Sequence, residues 1–200
     1  DLITQSPTPA ALAACDVVLL GGSGHYSATG EADWLDRAFD ALRNLHHIGK
    51  PTFASCWGFQ AFARALGGVV RHDLAKAELG THTLNATSEA AADPIFAKLG
   101  KSFAGQMGHE DYVQTLPPDA LRLASTRLVQ NQAFRFADKP IYCTQFHPEL
   151  NRDDLLLRVR AYPSYIERVA GMTLAQFEAN CRDTPETEAL LTRFVRTTLA

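Results

Sequence analysis

The sequence predicts an α/β domain in three layers, with helices on both faces of a mainly parallel central sheet and further helices at the C-terminal end. Three observations carry this. Short apolar runs at 16–20 and 51–55 each break into glycine or a sharp turn and then into a stretch with helical spacing, the alternation that builds a parallel sheet. Short strand-like runs fill the middle of the chain, and from 153 onward the pattern is helical. Two hundred residues with 46% hydrophobic and 20% charged content can bury one sizeable core, so a single globular unit is expected.

The elements follow in order. Residues 1–16 (DLITQSPTPAALAACD) hold a short apolar fragment, a proline-punctuated turn and a helical patch. Residues 16–20 (DVVLL) read as a buried parallel strand feeding the glycine-rich loop 21–30. In 31–50, Trp34, Leu35, Ala38, Phe39, Leu42 and Leu45 share a helix face, Glu31 and Asp33 occupy the first turn where the dipole favours acids, and Gly49 and Pro51 stop the helix. His46 and His47 at its end suit the same dipole. A second strand, 51–55, runs straight into a helix over 57–68 that ends at a glycine pair.

Residues 69–87 read as strand hairpins broken at Gly80, and 93–100 as a short helical turn. Strands are expected at 121–127, 128–136 and 140–146, then helices over 153–169, 173–180 and 185–199, with Pro163 splitting the first. The domain is placed at 1–150, and 151–200 is a helical extension of it.

Composition narrows the function. A formal charge of −3 with 19 scattered Lys and Arg argues against nucleic acid as a partner. Apolar runs such as 17–20 are far below the roughly 18 residues of a membrane span, and no secretory signal opens the chain, so a cytoplasmic location is expected. Cys15, Cys56, Cys143 and Cys181 lie far apart with no C-x-x-C spacing, which fits neither a zinc site nor a disulfide framework.

Cys56 sits where the 51–55 strand turns into a helix. The helical N–H groups there favour thiolate over thiol, and Ala54, Ser55 and Gly58 are small enough for a tight elbow. An arbitrary cysteine is more often a small core residue, but the elbow reverses that preference. In extended chain, residues two apart share a face, so His147 and Glu149 can act as base and orienting carboxylate. On spacing alone they are as readily a surface pair worth little. The loop 21-GGSG-24 can offer backbone N–H groups to an oxyanion together with Trp57 N–H; it lacks the G-x-x-x-x-G-K-[ST] and G-x-G-x-x-G phosphate patterns, and a plain turn is the other reading.

The glycine loop, Ala54-Ser55-Cys56-Trp57-Gly58-Phe59-Gln60 and His147-Pro148-Glu149, in this order, resemble the class I, triad-type glutamine amidotransferases, in particular stand-alone domains similar to the glutaminase part of guanosine monophosphate synthetase. The resemblance runs from about Asp16 to Glu149. It implies a flavodoxin-like three-layer fold and hydrolysis of glutamine to glutamate and ammonia through a Cys56-His147-Glu149 triad and a thioester. Backbone N–H groups of Gly22 and Trp57 would hold the oxyanion. Gln60, Asn131, Ala133 and Phe134 would grip the amino-acid head of glutamine, while His109 would be structural or face the acceptor. No cofactor or metal is implied, and the ammonia would pass to an unidentified synthetase or acceptor protein.

The same triad would serve a hydrolase of other γ-glutamyl bonds, and a catalytically silent regulatory subunit is the reading from another class. The sequence departs from the family at Ala54, where glycine is usual, and in having too few residues before Gly21 for the family's preceding strand and helix. The expectation is a fragment of a longer domain whose 17–20 strand lacks a neighbour, so residues 1–200 alone should be unstable or aggregation-prone. A cooperative melt with full activity would count against it. The alternative is that residues 2–4 pair as a shortened edge strand.

Overall fold

The computed structural model describes residues 2–199. Helix α1 (Pro9–Ala14), strand β1 (Val18–Leu20), helix α2 (Asp33–Ile48), strand β2 (Thr52–Ser55) and helix α3 (Trp57–Ala65) make up the first part of the chain. The middle consists of β3 (Val69–His72), β4 (Glu78–Ala86), the short α4 (Ser88–Ala92), β5 (Ser102–His109), β6 (Asp111–Thr115), β7 (Ala120–Ser125), β8 (Ala133–Phe136) and β9 (Ile141–Thr144). Helices α5 (Arg152–Arg160) and α6 (Pro163–Tyr165), a π-helical segment (Ile166–Ala170), α7 (Leu174–Asn180) and α8 (Pro185–Thr198) follow.

Seven strands form one sheet in the order β1-β2-β9-β8-β7-β4-β5, while β3 and β6 pair as a separate ribbon. The three-layer expectation holds, with one difference in the sheet. Parallel pairing is confined to β1, β2 and β9, and β9-β8-β7-β4-β5 is antiparallel, so the sheet is mixed. The reason is connection length. A parallel pair needs a crossover of about a dozen residues or more, whereas 126–132 and 137–140 are all that join β7 to β8 and β8 to β9.

One layer is formed by α2 and α3, whose Leu35, Leu42, Phe59 and Phe62 bury against Phe134, Phe136, Ile141 and Cys143 of the sheet. The periodicity of α2 is what places Leu35, Ala38, Phe39, Leu42 and Leu45 inside, and Gly49 ends it in the left-handed region at φ 66. The opposite layer sets Ile95, Phe96, Leu190 and Phe194 against Phe53, Tyr142 and Phe146. A third cluster packs Leu155, Leu156, Val159, Ile166 and Phe177 of the C-terminal helices around Leu79 of β4. The helices after 151 therefore divide, with α8 covering the sheet and α5–α7 building a wall beside it.

Several local expectations differ from the structure. Gly80 does not break a hairpin: β4 runs through it at φ 101, where a Cβ would meet the Phe177 ring at 3.0 Å. Strand β5 escapes a period-two reading because Gly105 and Gly108 interrupt it. The 128–136 strand shrinks to Ala133–Phe136, so Asn131 lies in the loop before it. Residues 2–4 form a turn rather than an edge strand, and β1 is the edge of the sheet among the described residues.

Helix α3 starts close against the end of β1. A Cβ at Gly58 would lie 2.9 Å from the Leu20 carbonyl oxygen and 2.9 Å from Leu20 Cγ. Gly58→Val should therefore destabilise the fold by about 1–3 kcal/mol in urea unfolding. Gly30→Ala, with nothing within 4 Å of its Cβ position, should stay within about 0.5 kcal/mol.

Candidate active site

The site is built at the C-terminal ends of β2 and β9. Cys56 joins β2 to α3 at φ 52 and ψ −105, and among the described residues it is the one non-glycine residue with positive φ. A backbone held there stores about 1–3 kcal/mol and persists only where its surroundings fix it. Here they do: the Cys56 N–H donates to the Thr144 carbonyl at 2.8 Å, continuing the β2–β9 ladder, and its carbonyl accepts the Gln60 N–H at 3.1 Å as the first helical bond. Ala54, which stands where the family usually has glycine, is fully buried and not at positive φ, so the elbow does not need glycine there.

Gly22 presses on the nucleophile from the loop after β1. A Cβ at this position would sit 3.0 Å from Cys56 Cβ, 3.3 Å from its Sγ and 3.0 Å from His147 Cε1. Any side chain at 22 would therefore crowd both the thiol and the imidazole.

His147 lies just past β9, its N–H donating to the Gln106 carbonyl at 2.9 Å. Its Nδ1 donates to Glu149 Oε1 at 2.6 Å, which leaves Nε2 for proton transfer. The same carboxylate oxygen accepts the Ser55 hydroxyl at 3.3 Å. Only 6% of His147 is exposed, so the surface-pair reading of the His-Pro-Glu segment fails. Burial disfavours the charged imidazole, but Cys56 and Glu149 beside it outweigh that and push its pKa up to about 10. Burial likewise raises Glu149, and the hydrogen bond and charge of His147 outweigh it, leaving the carboxyl below the usual range.

The other predicted residues are placed as follows. The Trp57 N–H opens α3, and the buried indole packs against Trp34 with ring centroids 6.1 Å apart. Gln60 is buried and its amide donates to the Asp111 carbonyl at 3.0 Å and to Gln145 Oε1 at 3.1 Å. The Asn131 amide donates to the carbonyls of Val113 and Gln114, both at 3.1 Å. Ala133 and Phe134 are fully buried in β8, with Phe134 against Phe59. The side chains of these last four are occupied inside the protein.

The segment that runs past the thiol is instead 108–111. The Cys56 thiol donates to the Gly108 carbonyl at 3.7 Å. Asp111 ties the rim together, accepting from Ser27 Oγ at 2.5 Å and from His72 Nδ1 at 2.8 Å. Glu110 takes both terminal nitrogens of Arg168, at 2.6 and 2.9 Å. His109 turns inward, where its Nε2 meets the buried Glu78 at 3.2 Å. The signal for this segment was the charged cluster 107-MGHED-111, but nothing local says that it crosses the elbow.

Among the described residues no group of three or more His, Cys, Asp or Glu is placed to hold a metal ion, and no helix is long and apolar enough to cross a membrane. All four cysteines are free.

A strained cysteine at a strand-to-helix turn, beside a buried histidine paired with a glutamate in a three-layer α/β/α fold, is the architecture of a thiol hydrolase. This chain belongs to the class I glutamine amidotransferase family, whose sequence model matches residues 3–154. It is 29% identical to gamma-glutamyl peptidase 3 of Arabidopsis thaliana over 177 residues, covering 86% of this chain and 68% of that protein. It is 35% identical over 153 residues to one of the subunits of glutamine-hydrolysing GMP synthase from Sulfolobus acidocaldarius, covering 76% of this chain and 77% of that one. Its fold matches a glutamine amidotransferase from Thermotoga maritima with a TM-score of 0.76 at 22% identity, over 92% of this chain and 78% of that one. The family resemblance drawn from the motifs is borne out.

The raised His147 pKa sets a pH dependence. Its contribution to stability is fully present below the ordinary value near 6.5 and is lost as pH rises through about 10. In a histidine NMR titration the His147 ring should remain imidazolium through pH 8, and Glu149→Gln should move its midpoint downward. A midpoint unmoved by that substitution would show that Glu149 does not hold the charge.

Proposed function

We propose that the protein hydrolyses the side-chain amide of glutamine to glutamate and ammonia, with Cys56 as nucleophile, His147 as proton carrier and Glu149 as its orienting carboxylate. The observation that carries this reading is the convergence of Cys56 Sγ, the His147 ring and the Gly22 backbone on one point. Cys56 thiolate attacks the amide carbon, and the oxyanion that develops is met by backbone N–H groups of Gly22 and Trp57. Imidazolium His147 gives its proton to the departing nitrogen, so ammonia leaves and a thioester remains. His147 then takes a proton from water, whose oxygen attacks the thioester, and collapse releases glutamate and returns the thiolate. Gln60, Asn131, Ala133 and Phe134 would support the substrate pocket from behind, and the ammonia would pass to a synthetase partner.

Hydrolysis of other γ-glutamyl bonds is the second reading, favoured by the likeness to a gamma-glutamyl peptidase across 86% of the chain. The triad serves both reactions, and the walls of the pocket decide between them. Assaying ammonia release from glutamine beside release of γ-glutamyl amines and peptides separates the two. A folded protein inactive on all of them would instead be a silent regulatory component.

Cys56→Ala should abolish turnover while leaving the fold nearly unchanged. A thiol-directed glutamine analogue should label Cys56 and spare Cys143, whose thiol burial pushes far up. Labelling at Cys15 or Cys143 instead would overturn the assignment. His147→Asn should cost more kcat than Glu149→Gln, because the imidazole moves the proton and the carboxylate only orients it. Equal and negligible losses would remove the pair from the mechanism.

A further inference from the structure

We propose that the Gly108 carbonyl receives an N–H of the scissile amide and so turns its nitrogen toward His147, and that the buried Glu78–His109 pair positions this carbonyl. The role rests on the γ-glutamyl amide hydrolysis read above. It serves glutamine and γ-glutamyl peptides alike, since each carries an N–H on the nitrogen that leaves.

The carbonyl stands beside the reacting atoms. Strand β5 is the last of the sheet, and its carbonyls at 106 and 108, two residues apart, point the same way. The Gln106 carbonyl accepts the His147 N–H at 2.9 Å, and the Gly108 carbonyl accepts the Cys56 thiol at 3.7 Å. One strand edge therefore meets both the base and the nucleophile. In the tetrahedral adduct the substrate nitrogen is two bonds from Sγ, roughly 2.7 Å away, so an acceptor 3.7 Å from the same sulfur comes within hydrogen-bond distance of it. The oxyanion requires donors, so the nitrogen is the substituent that a carbonyl fits.

The Gly108 oxygen needs a new donor when the reaction begins. Its present donor is the Cys56 S–H, and that proton resides on His147 once the thiolate forms. A carbonyl left beside a thiolate without a donor costs free energy, and an amide N–H supplies what the thiol gave up. The Sγ–C bond then forms as the C=O pair moves to oxygen, and imidazolium His147 gives its Nε2 proton to the nitrogen lone pair. The oxyanion restores the C=O bond as the C–N bond breaks, its pair going to nitrogen, and the amine departs. An N–H fixed on Gly108 sets where that lone pair points.

The pair behind the carbonyl is arranged to hold it. His109 follows Gly108 directly, with Nε2 3.2 Å from Glu78 and Nδ1 3.0 Å from the Asp111 carbonyl, so its ring spans the β5–β6 turn. Glu78 and His109 are register partners in β4 and β5, each 3% exposed. Burial raises the Glu78 carboxyl, but the hydrogen bond and charge of His109 outweigh it and keep the carboxyl below its usual value. Glu78 also accepts from the Gln132 amide, which ties the turn to the loop before β8.

The test compares L-glutamine with the γ-methyl ester of L-glutamic acid, which forms the same thioester but loses methanol and offers no N–H. For both, kcat/KM reports formation of that thioester. In His109→Gln the glutamine-to-ester ratio of kcat/KM should fall ~10-fold below wild type, whereas a general loss of structure lowers both values together and leaves the ratio in place. An unchanged ratio overturns the positioning role. Calorimetry on Cys56→Ala, which lacks the thiol donor, reads the carbonyl without altering the pair and decides the matter even if His109→Gln does not fold. Glutamine should bind it ~10-fold more tightly than the ester, and equal affinities overturn the contact with nitrogen. Either negative result beside wild-type turnover of glutamine removes this role and leaves the glutaminase reading standing. A folded wild-type protein that cleaves neither substrate overturns both.

Discussion

The left-handed backbone at Cys56 is the constraint on which the site depends. A strand must end and a helix begin within one residue, and only a positive φ turns the chain sharply enough to lift the thiol out of the sheet while keeping the Cys56 N–H on the Thr144 carbonyl. Other features follow from that turn. Gly58 must lack a side chain because α3 starts against the end of β1, and Gly22 must lack one because the loop after β1 closes over the thiol. The strain of about 1–3 kcal/mol is offset by the ladder on one side and the first helical bond on the other. A cysteine tolerates this conformation no better than most residues.

Two His-Glu pairs built on buried histidines lie on this side of the sheet, and they differ in what they face. His147 and Glu149 are aligned toward Cys56. His109 and Glu78 stand directly opposite each other in the β4–β5 ladder, and their side chains meet on the inner face. His109 Nδ1 lies 3.0 Å from the Asp111 carbonyl and Nε2 3.2 Å from the Glu78 carboxylate, so the ring bridges the two. Gln132 also donates to that carboxylate. This network fixes the β5–β6 turn, and with it Gly108 and Glu110, against the elbow. The structural reading of His109 gains support from these partners.

How much was legible in the sequence follows from how local each feature is. The elbow was readable because a strand, a cysteine, small neighbours and a helix are consecutive, and the His-Pro-Glu segment because its two side chains are brought together by their own spacing. The parallel part of the sheet was readable for the same reason, through its strand-helix alternation. Strand β5 was not, because glycines at 105 and 108 interrupt its pattern. Nor was the partnership of Glu110 with Arg168, since the two are separated by 58 residues and meet only when the C-terminal wall folds onto β4. Gln60 and Asn131 were identifiable as polar residues near the site, but their occupation by inner carbonyls depends on the long-range position of β6.

Helix α8 has a consequence for the order in which the site is assembled. Phe194 packs its ring against Phe53 of β2 and Tyr142 of β9, with centroids 5.5 and 5.8 Å away, beneath the two strands that lead to Cys56 and His147. The Thr187 hydroxyl also donates to the Ala104 carbonyl of β5, the strand that supplies Gly108. On the ribosome, where chains emerge at about 5–20 residues per second, Cys56, His147 and Glu149 are therefore synthesised before the floor beneath them exists. Cys56 is thus made while the sheet that positions it still lacks one of its two faces, and the elbow reaches its final setting only when α8 arrives.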